Sequence, residues 1–196
     1  MTLAELRAIA LGEPVALTRE LAAAAFVQGA TRQNPRDFFF DEIKHYIYAG
    51  DTALHLAAAG YRSAAVRKLV KLGADPNARN RRGHAPLHYA VDGGPSSAFW
   101  NPRAQAATLT ALIDAGADLE AMDKNGTTPL ERAVRNRCAM AVKTLLDAGA
   151  RPGDAPRLAT QTTGRGGTAL PEARAQQEEI LRLLASRAPR KTRAPE

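Results

Sequence analysis

The chain of 196 residues has one cysteine, Cys138, and a single thiol makes neither an internal disulfide nor a zinc site. Aromatic residues make up only 5% of it. A core must then be built mostly from Ala, Leu and Val, which stacked helices do well. No apolar run approaches the roughly 20 residues that cross a bilayer, so no membrane partner is expected. Glu5, Arg7 and Glu13 interrupt the N-terminus and deny it a signal-peptide core. With a lone thiol suited to a reducing compartment, the expectation is a cytoplasmic protein. Chemistry-bearing motifs are also missing. Gly164-Arg165-Gly166-Gly167 has neither the lysine nor the strand–helix setting of a phosphate loop. No serine elbow or metal-ligand cluster is legible. Cys138, near the start of a helix, reads as a small buried filler rather than a nucleophile. The chain is therefore expected to be no enzyme, with no cofactor and no metal.

What is present is repetition, and internal repeats outrank other signals. Four strings align: Gly50-Asp51-Thr52-Ala53-Leu54-His55, Gly83-His84-Ala85-Pro86-Leu87-His88, Gly126-Thr127-Thr128-Pro129-Leu130-Glu131 and Gly166-Gly167-Thr168-Ala169-Leu170-Pro171. A second string recurs between them as Gly73-Ala74-Asp75, Gly116-Ala117-Asp118 and Gly149-Ala150-Arg151. Gly50 to Gly83 and Gly116 to Gly149 each span 33 residues, whereas Gly83 to Gly126 spans 43. Thr52 and Thr128 stand where a helix N-cap belongs, and Pro86 and Pro129 follow the cap position. Val66, Leu69 and Val70, then Leu109, Leu112 and Ile113, then Val142, Leu145 and Leu146 form i, i+3, i+4 stripes on a second helix of each unit. Gly73, Gly116 and Gly149 stop those helices.

A period of about 33 with a T-P-L-H-x-A string resembles the ankyrin-repeat family. The resemblance covers about residues 47–187. It implies an all-α fold, a solenoid of stacked helix pairs joined by β-turn or hairpin loops, with an N-terminal helical cap and a C-terminal capping helix. The units run about 47–79, 80–122, 123–155 and a degenerate 163–187. The resemblance also implies that His55 and His88 hydrogen-bond within and between repeats rather than act as ligands or bases. Ala85 departs from the pattern by losing a cap, Glu131 by replacing the motif histidine, and Pro171 by leaving little room for a full first helix.

Residues 1–46 hold no clear repeat. Leu3–Ala10 and Thr18–Val27 look helical, Asn34-Pro35-Arg36 breaks the pattern, and Phe38-Phe39-Phe40 with Ile43, Tyr46 and Ile47 supplies an apolar block. Residues 151–168 read as a long loop. Residues 173–187 read as a capping helix with Ile180, Leu181, Leu183 and Leu184 facing the stack, and 188–196 as a disordered basic tail. Repeat two exceeds the period by ten residues, and the extra length falls within 93–103, between its helices, a segment that contains Phe99 and Trp100, the latter the only tryptophan. Two placements are open for this pair: a contact with a partner, or packing onto the chain's own helices.

Function is then expected on the concave face, where the family resemblance places hairpin tips and the exposed side of the first helices. Those positions are Tyr48 and Asp51; Arg79, Arg81, Arg82, His84 and Asp92; and Lys124, Asn125, Thr127, Arg135 and Asn136, with Phe99 and Trp100 added. The formal charge of +7 and the Arg79–His84 cluster point to a partner protein with an acidic patch. Nucleic acid or another polyanion, reached through the same cluster and the basic tail, is the alternative. The expected protein is a monomeric binding module of inhibitor, immunity or adaptor type, and its Ala- and Arg-rich usage suggests a high-GC bacterial genome.

Overall fold

The structure, a computed structural model, describes residues 1–30, 38–161 and 170–187. The Asn34-Pro35-Arg36 break, the glycine run at 164–167, most of the fourth string and the 188–196 tail lie outside the described residues.

Four helix pairs form the stack: α3 (Ala53–Ala59) with α4 (Ser63–Lys71), α5 (Pro86–Ala90) with α6 (Pro102–Asp114), α7 (Pro129–Arg135) with α8 (Ala139–Asp147), and α9 (Ala155–Thr160) with α10 (Pro171–Arg187). First helices pack on first helices and second on second, α3 on α5, α7 on α9, α4 on α6, α6 on α8 and α8 on α10. Each pair is too thin to bury its own apolar stripe, so the core is continuous from unit to unit. Leu54, Leu69, Leu87, Leu109, Leu112, Leu130 and Leu145 are among its fully buried side chains.

Caps start the helices as the motif requires. Thr52 Oγ1 accepts from His55 N, and Thr128 Oγ1 from Glu131 N. Glu131 does the work of the missing histidine, because its carboxylate accepts the Thr128 N–H at 3.0 Å. His55 Nδ1 accepts the Thr52 N–H at 3.1 Å while its Nε2 reaches the His84 carbonyl at 3.0 Å. His88 repeats both contacts one unit on, with the Ala85 N–H and the Thr127 carbonyl. Each imidazole therefore closes its own turn and fixes the next. The finger loops are also joined edge to edge, Arg81 N to Ala49 O at 2.7 Å and Lys124 N to Arg82 O at 3.0 Å.

The first 46 residues depart from the helical cap expected of them. They begin with α1 (Leu3–Leu11), which carries a Thr2–Glu5 capping box, and α2 (Arg19–Ala23), capped by Thr18. The second helix ends at Ala23, short of Val27, because the chain turns extended to bond the first finger: Ala25 bridges Thr52, and Phe26 N donates to the Asp51 carbonyl. Beyond it stands an antiparallel hairpin of β1 (Phe39–Phe40) and β2 (His45–Tyr46), with Phe39 opposite Tyr46 and Phe40 opposite His45. Aromatic residues alternating across a pleat favour a strand over a helix, and Lys44, at φ 51°, lets the 41–44 turn close.

Three further expectations need correction. The fourth unit does not begin at 163: its first helix is α9, inside the segment read as a loop, with Leu158 and Ala159 buried. After Gly149 the chain omits the finger and enters α9 directly, so Pro171 opens the second helix instead of the first. On α10, Ile180 and Leu184 are buried and Leu183 half-buried, whereas Leu181 is exposed. The 93–103 insertion ends at Asn101, which caps α6, so Pro102 and Arg103 belong to the helix.

Ala85 is the one first-helix cap of the three clear repeats that accepts no side-chain bond. Ala85→Thr is expected to raise the unfolding free energy by about 1 kcal/mol, measured by urea denaturation; an unchanged midpoint would show that His88 alone satisfies this turn.

Candidate binding cleft on the concave face

A charge in an otherwise buried register position must be answered nearby. Arg132 occupies the first-helix position that holds Leu56 in repeat one and Tyr89 in repeat two. It is answered by Asp92, at the end of the first helix segment of repeat two. Arg132 Nε and Nη2 donate to the two Asp92 carboxylate oxygens at 2.6 and 2.7 Å, a two-pronged pair. His45, from strand β2, brings Nε2 to 2.7 Å from Asp92 Oδ2. Asn136 fastens the adjoining backbone by donating to the Val91 carbonyl at 2.9 Å. One carboxylate thus ties the N-terminal hairpin to repeats two and three.

The electrostatics follow from burial. Desolvation pushes the Asp92 carboxyl upward, but the Arg132 guanidinium and then His45 outweigh it and hold the group well below the usual carboxylate range. Desolvation likewise opposes the charge on Arg132, and Asp92 more than restores it. His84 Nε2 lies 3.1 Å from Arg132 Nη1 and 3.3 Å from Asp123 Oδ2. Burial first, then Arg132 and His88, push its pKa down to about 3. Burial pushes His88 down to about 4.

Above this floor is a cleft of about 430 Å³. One wall is the hairpin, with His45 and Tyr46; the other is the insertion, from Gly93 to Phe99. Tyr48, Tyr61, Asn136 and Arg132 complete the lining. The insertion is seated by Tyr61, whose hydroxyl donates to the Asp92 carbonyl and whose ring stacks on Phe99 at 5.1 Å between centroids. Gly93 is required beneath that hydroxyl: its φ is 101°, and a Cβ there would lie 2.3 Å from the Tyr61 oxygen. Trp100 Nε1 donates to Gln105 Oε1 at 3.0 Å.

The expected contact residues divide accordingly. Arg79, Arg81, Arg82, Lys124, Asn125 and Arg135 are exposed along one side of the fingers and α7. Arg79 donates to the Gly83 and Met122 carbonyls, Arg81 to the Ala30 carbonyl, and the Arg82 guanidinium sits 5.5 Å over the Tyr48 ring. No hydrogen bond or ion pair holds the Lys124 side chain among the described residues. Tyr48 and Asn136 line the cleft, as does Phe99. Trp100 is half-buried and packs against the core, so it folds onto the chain's own helices instead of standing out as an anchor.

Four residues are corrected, because folding uses them internally. Asp51 is 0% exposed and accepts from the Tyr89 hydroxyl, the Asn80 amide and the Tyr48 N–H. Thr127 is buried, and His84 and Asp92, the first buried and the second taken up by the pair with Arg132, reach the cleft only as part of its floor. Cys138 is buried beside Gln105 and the Gly93 carbonyl, and burial pushes its thiol up to about 12, which keeps it protonated. Among the described residues no group of three or more acidic, histidine or cysteine side chains is placed to hold a metal, and no helix is long and apolar enough to cross a membrane. Arg132 is legible in the sequence as a lone cation in an apolar register, though it lies outside the positions expected to make contact. His45 carried no comparable signal.

Residues 44–90 match the family model described as ankyrin repeats (many copies). Over that segment the chain is similar to ankyrin-repeat proteins. It is 49% identical over 47 residues to human neurogenic locus notch homolog protein 4, which is 24% of this chain. It is 38% identical over 72 residues, or 37% of this chain, to mouse neurogenic locus notch homolog protein 1. It is 45% identical over 42 residues, 21% of this chain, to the nuclear factor NF-kappa-B p110 subunit of Drosophila melanogaster. The matched segments span only 2% of the two notch homologues and 4% of the Drosophila protein. The ankyrin array is therefore what is shared, and arrays of this kind generally mediate protein–protein interaction.

Arg132→Met strips Asp92 of its bidentate partner and is expected to cost about 3 kcal/mol, while Asp92→Ala combined with Arg132→Met costs less than the two single losses together. Urea denaturation of the four proteins measures this, and strict additivity would show that the pair is not coupled. Stability should also depend on pH in a defined sense. His84 and His88 titrate lower in the fold than the roughly 6.5 of a solvated imidazole, so the unfolded chain gains protons first as the pH falls. Their contribution is complete above about pH 6.5 and is lost on acidification toward the folded values, at up to about 1.4 kcal/mol per pH unit for each. Unfolding free energy at pH 5 is expected to fall several kcal/mol below that at pH 7, with a shallower slope in His88→Gln; equal stabilities at the two pH values contradict this account.

Proposed function

We propose that this ankyrin array is a non-catalytic binding module that grips an acidic surface of another protein with its fingertips and the adjoining side of α7. What supports the reading is the way charge is sorted across the fingers. The carboxylates Asp51, Asp92 and Asp123 point inward and are buried or paired. The cations Arg79, Arg81, Arg82, Lys124 and Arg135 are exposed. The hydrogen-bonded fingers hold these cations side by side on a rigid edge, so little ordering entropy is lost on binding. A carboxylate-bearing partner gains paired hydrogen bonds from the guanidinium groups. An inhibitor, immunity protein or adaptor acts in this way, by occupying or bridging a surface without altering it.

Arg82→Glu combined with Lys124→Glu changes two exposed positions, neither of which belongs to the core. Such a reversal is expected to weaken the partner complex about tenfold or more, from roughly 1 kcal/mol per exposed pair. The partner is recovered by affinity capture and identified, and its affinity is then measured by titration calorimetry at low and high salt. An unchanged affinity in the folded variant rejects this surface. Recovery of nucleic acid alone, with affinity collapsing steeply as salt rises, replaces the reading with polyanion binding.

A further inference from the structure

The cleft beside the fingertips gives the partner a more specific chemistry, and this inference rests on the binding reading above. We infer that the cleft between the hairpin and the 93–101 loop receives one aromatic side chain of the partner, carried on an acidic segment. The hairpin and the loop that wall it lie outside the repeated pattern. Its walls are aromatic, with Tyr46 and Tyr48 on one side and Tyr61 and Phe99 on the other. At about 430 Å³ it is of the size and lining that bury a large apolar group. The floor asks for no ion, because Asp92 and Arg132 satisfy one another. From Asn136, whose Nδ2 is taken by the Val91 carbonyl, it can offer the amide oxygen as an acceptor to an indole N–H or a phenol, whereas both His45 ring nitrogens are already taken by the Tyr46 carbonyl and Asp92.

The mouth supplies the charge preference. The Arg82 guanidinium lies over the face of Tyr48, itself part of the lining, and the Lys124 N–H is bonded to the Arg82 carbonyl. A chain entering the cleft therefore passes two exposed cations, and acidic residues flanking its aromatic group complement them. The walls are held before any partner arrives, His45 by Asp92 and the loop by Tyr61 and the Trp100–Gln105 bond. A preformed aromatic socket at the edge of a charged patch is the arrangement in which one buried anchor carries most of the affinity.

The test is a set of acidic nonapeptides with Trp, Tyr, Phe, Leu or Ala at the centre, titrated by fluorescence polarisation against the full chain. Peptides centred on Trp or Tyr are expected to bind about tenfold or more tightly than the Ala-centred one. Ala98→Trp and Ser96→Trp each fill the cleft from an exposed loop position. Either one, provided its thermal midpoint is unchanged, removes the preference and leaves Ala-centred binding in place. Arg82→Glu with Lys124→Glu weakens every peptide and preserves the ratio. Equal binding of aromatic and Ala-centred peptides, still dependent on Arg82 and Lys124, overturns the cleft inference and leaves the fingertip reading standing. Equal binding without that dependence overturns both. N-acetyltryptophanamide binding as tightly as the Trp-centred peptide reassigns the cleft to small molecules and overturns the partner assignment.

Discussion

A carboxylate withdrawn from water has to be met by charge, and what distinguishes this molecule from a plain stack of repeats depends on how Asp92 is met. Its two oxygens are claimed by Arg132 of the next repeat and by His45 of the N-terminal hairpin. Three segments remote in sequence become one body at that point. Because Arg132 is spent on Asp92, it is withheld from the surface and also lowers the pKa of His84 beside it. The hairpin stands over the concave face because His45 is held there, and the insertion begins one residue beyond the same carboxylate.

Beneath this cluster the stack obeys an older constraint: a helix pair that cannot bury its own apolar stripe must borrow a neighbour. The imidazoles of His55 and His88 set the register of that borrowing, since each closes its own turn and reaches the carbonyl of the next unit. Where repeat three lacks the histidine, Glu131 preserves the local cap, and beyond Gly149 the finger is dispensed with altogether. At the other end, the first finger finds its edge partner in the extended stretch around Ala25 and Phe26. Both ends of the array are therefore covered by chain that does not follow the repeat.

The concave face that results is divided between two tasks. Its carboxylates stabilise the scaffold, and its exposed cations are the groups proposed to meet a partner. The cleft adds shape to this charge, with aromatic walls next to a guanidinium. Charge at the rim steers and orients an approaching surface, and a buried anchor slows its departure. The proposed mode of binding joins the two within a short span of the surface.

The helix pairs, their caps, their buried stripes and their glycine stops could all be read from the residues, because a 33-residue period and i, i+3, i+4 spacing are local in the chain. The exposed arginines of the second finger were legible for the same reason, as a cluster within a single turn. Local pattern misled at the fourth unit, where a glycine–threonine string resembled a repeat start and the true helix lay upstream, and in the N-terminal segment, where Phe39–Phe40 forms a strand instead of part of a helical cap. It was silent on which polar residues of the fingers face inward. Asp51 finds Tyr89 across 38 positions and Arg132 finds Asp92 across 40, and no spacing rule reaches that far. The repeat follows from the sequence alone because each unit repeats its own short-range geometry. The cleft is decided only in three dimensions, because its walls come from parts of the chain that meet through buried charge.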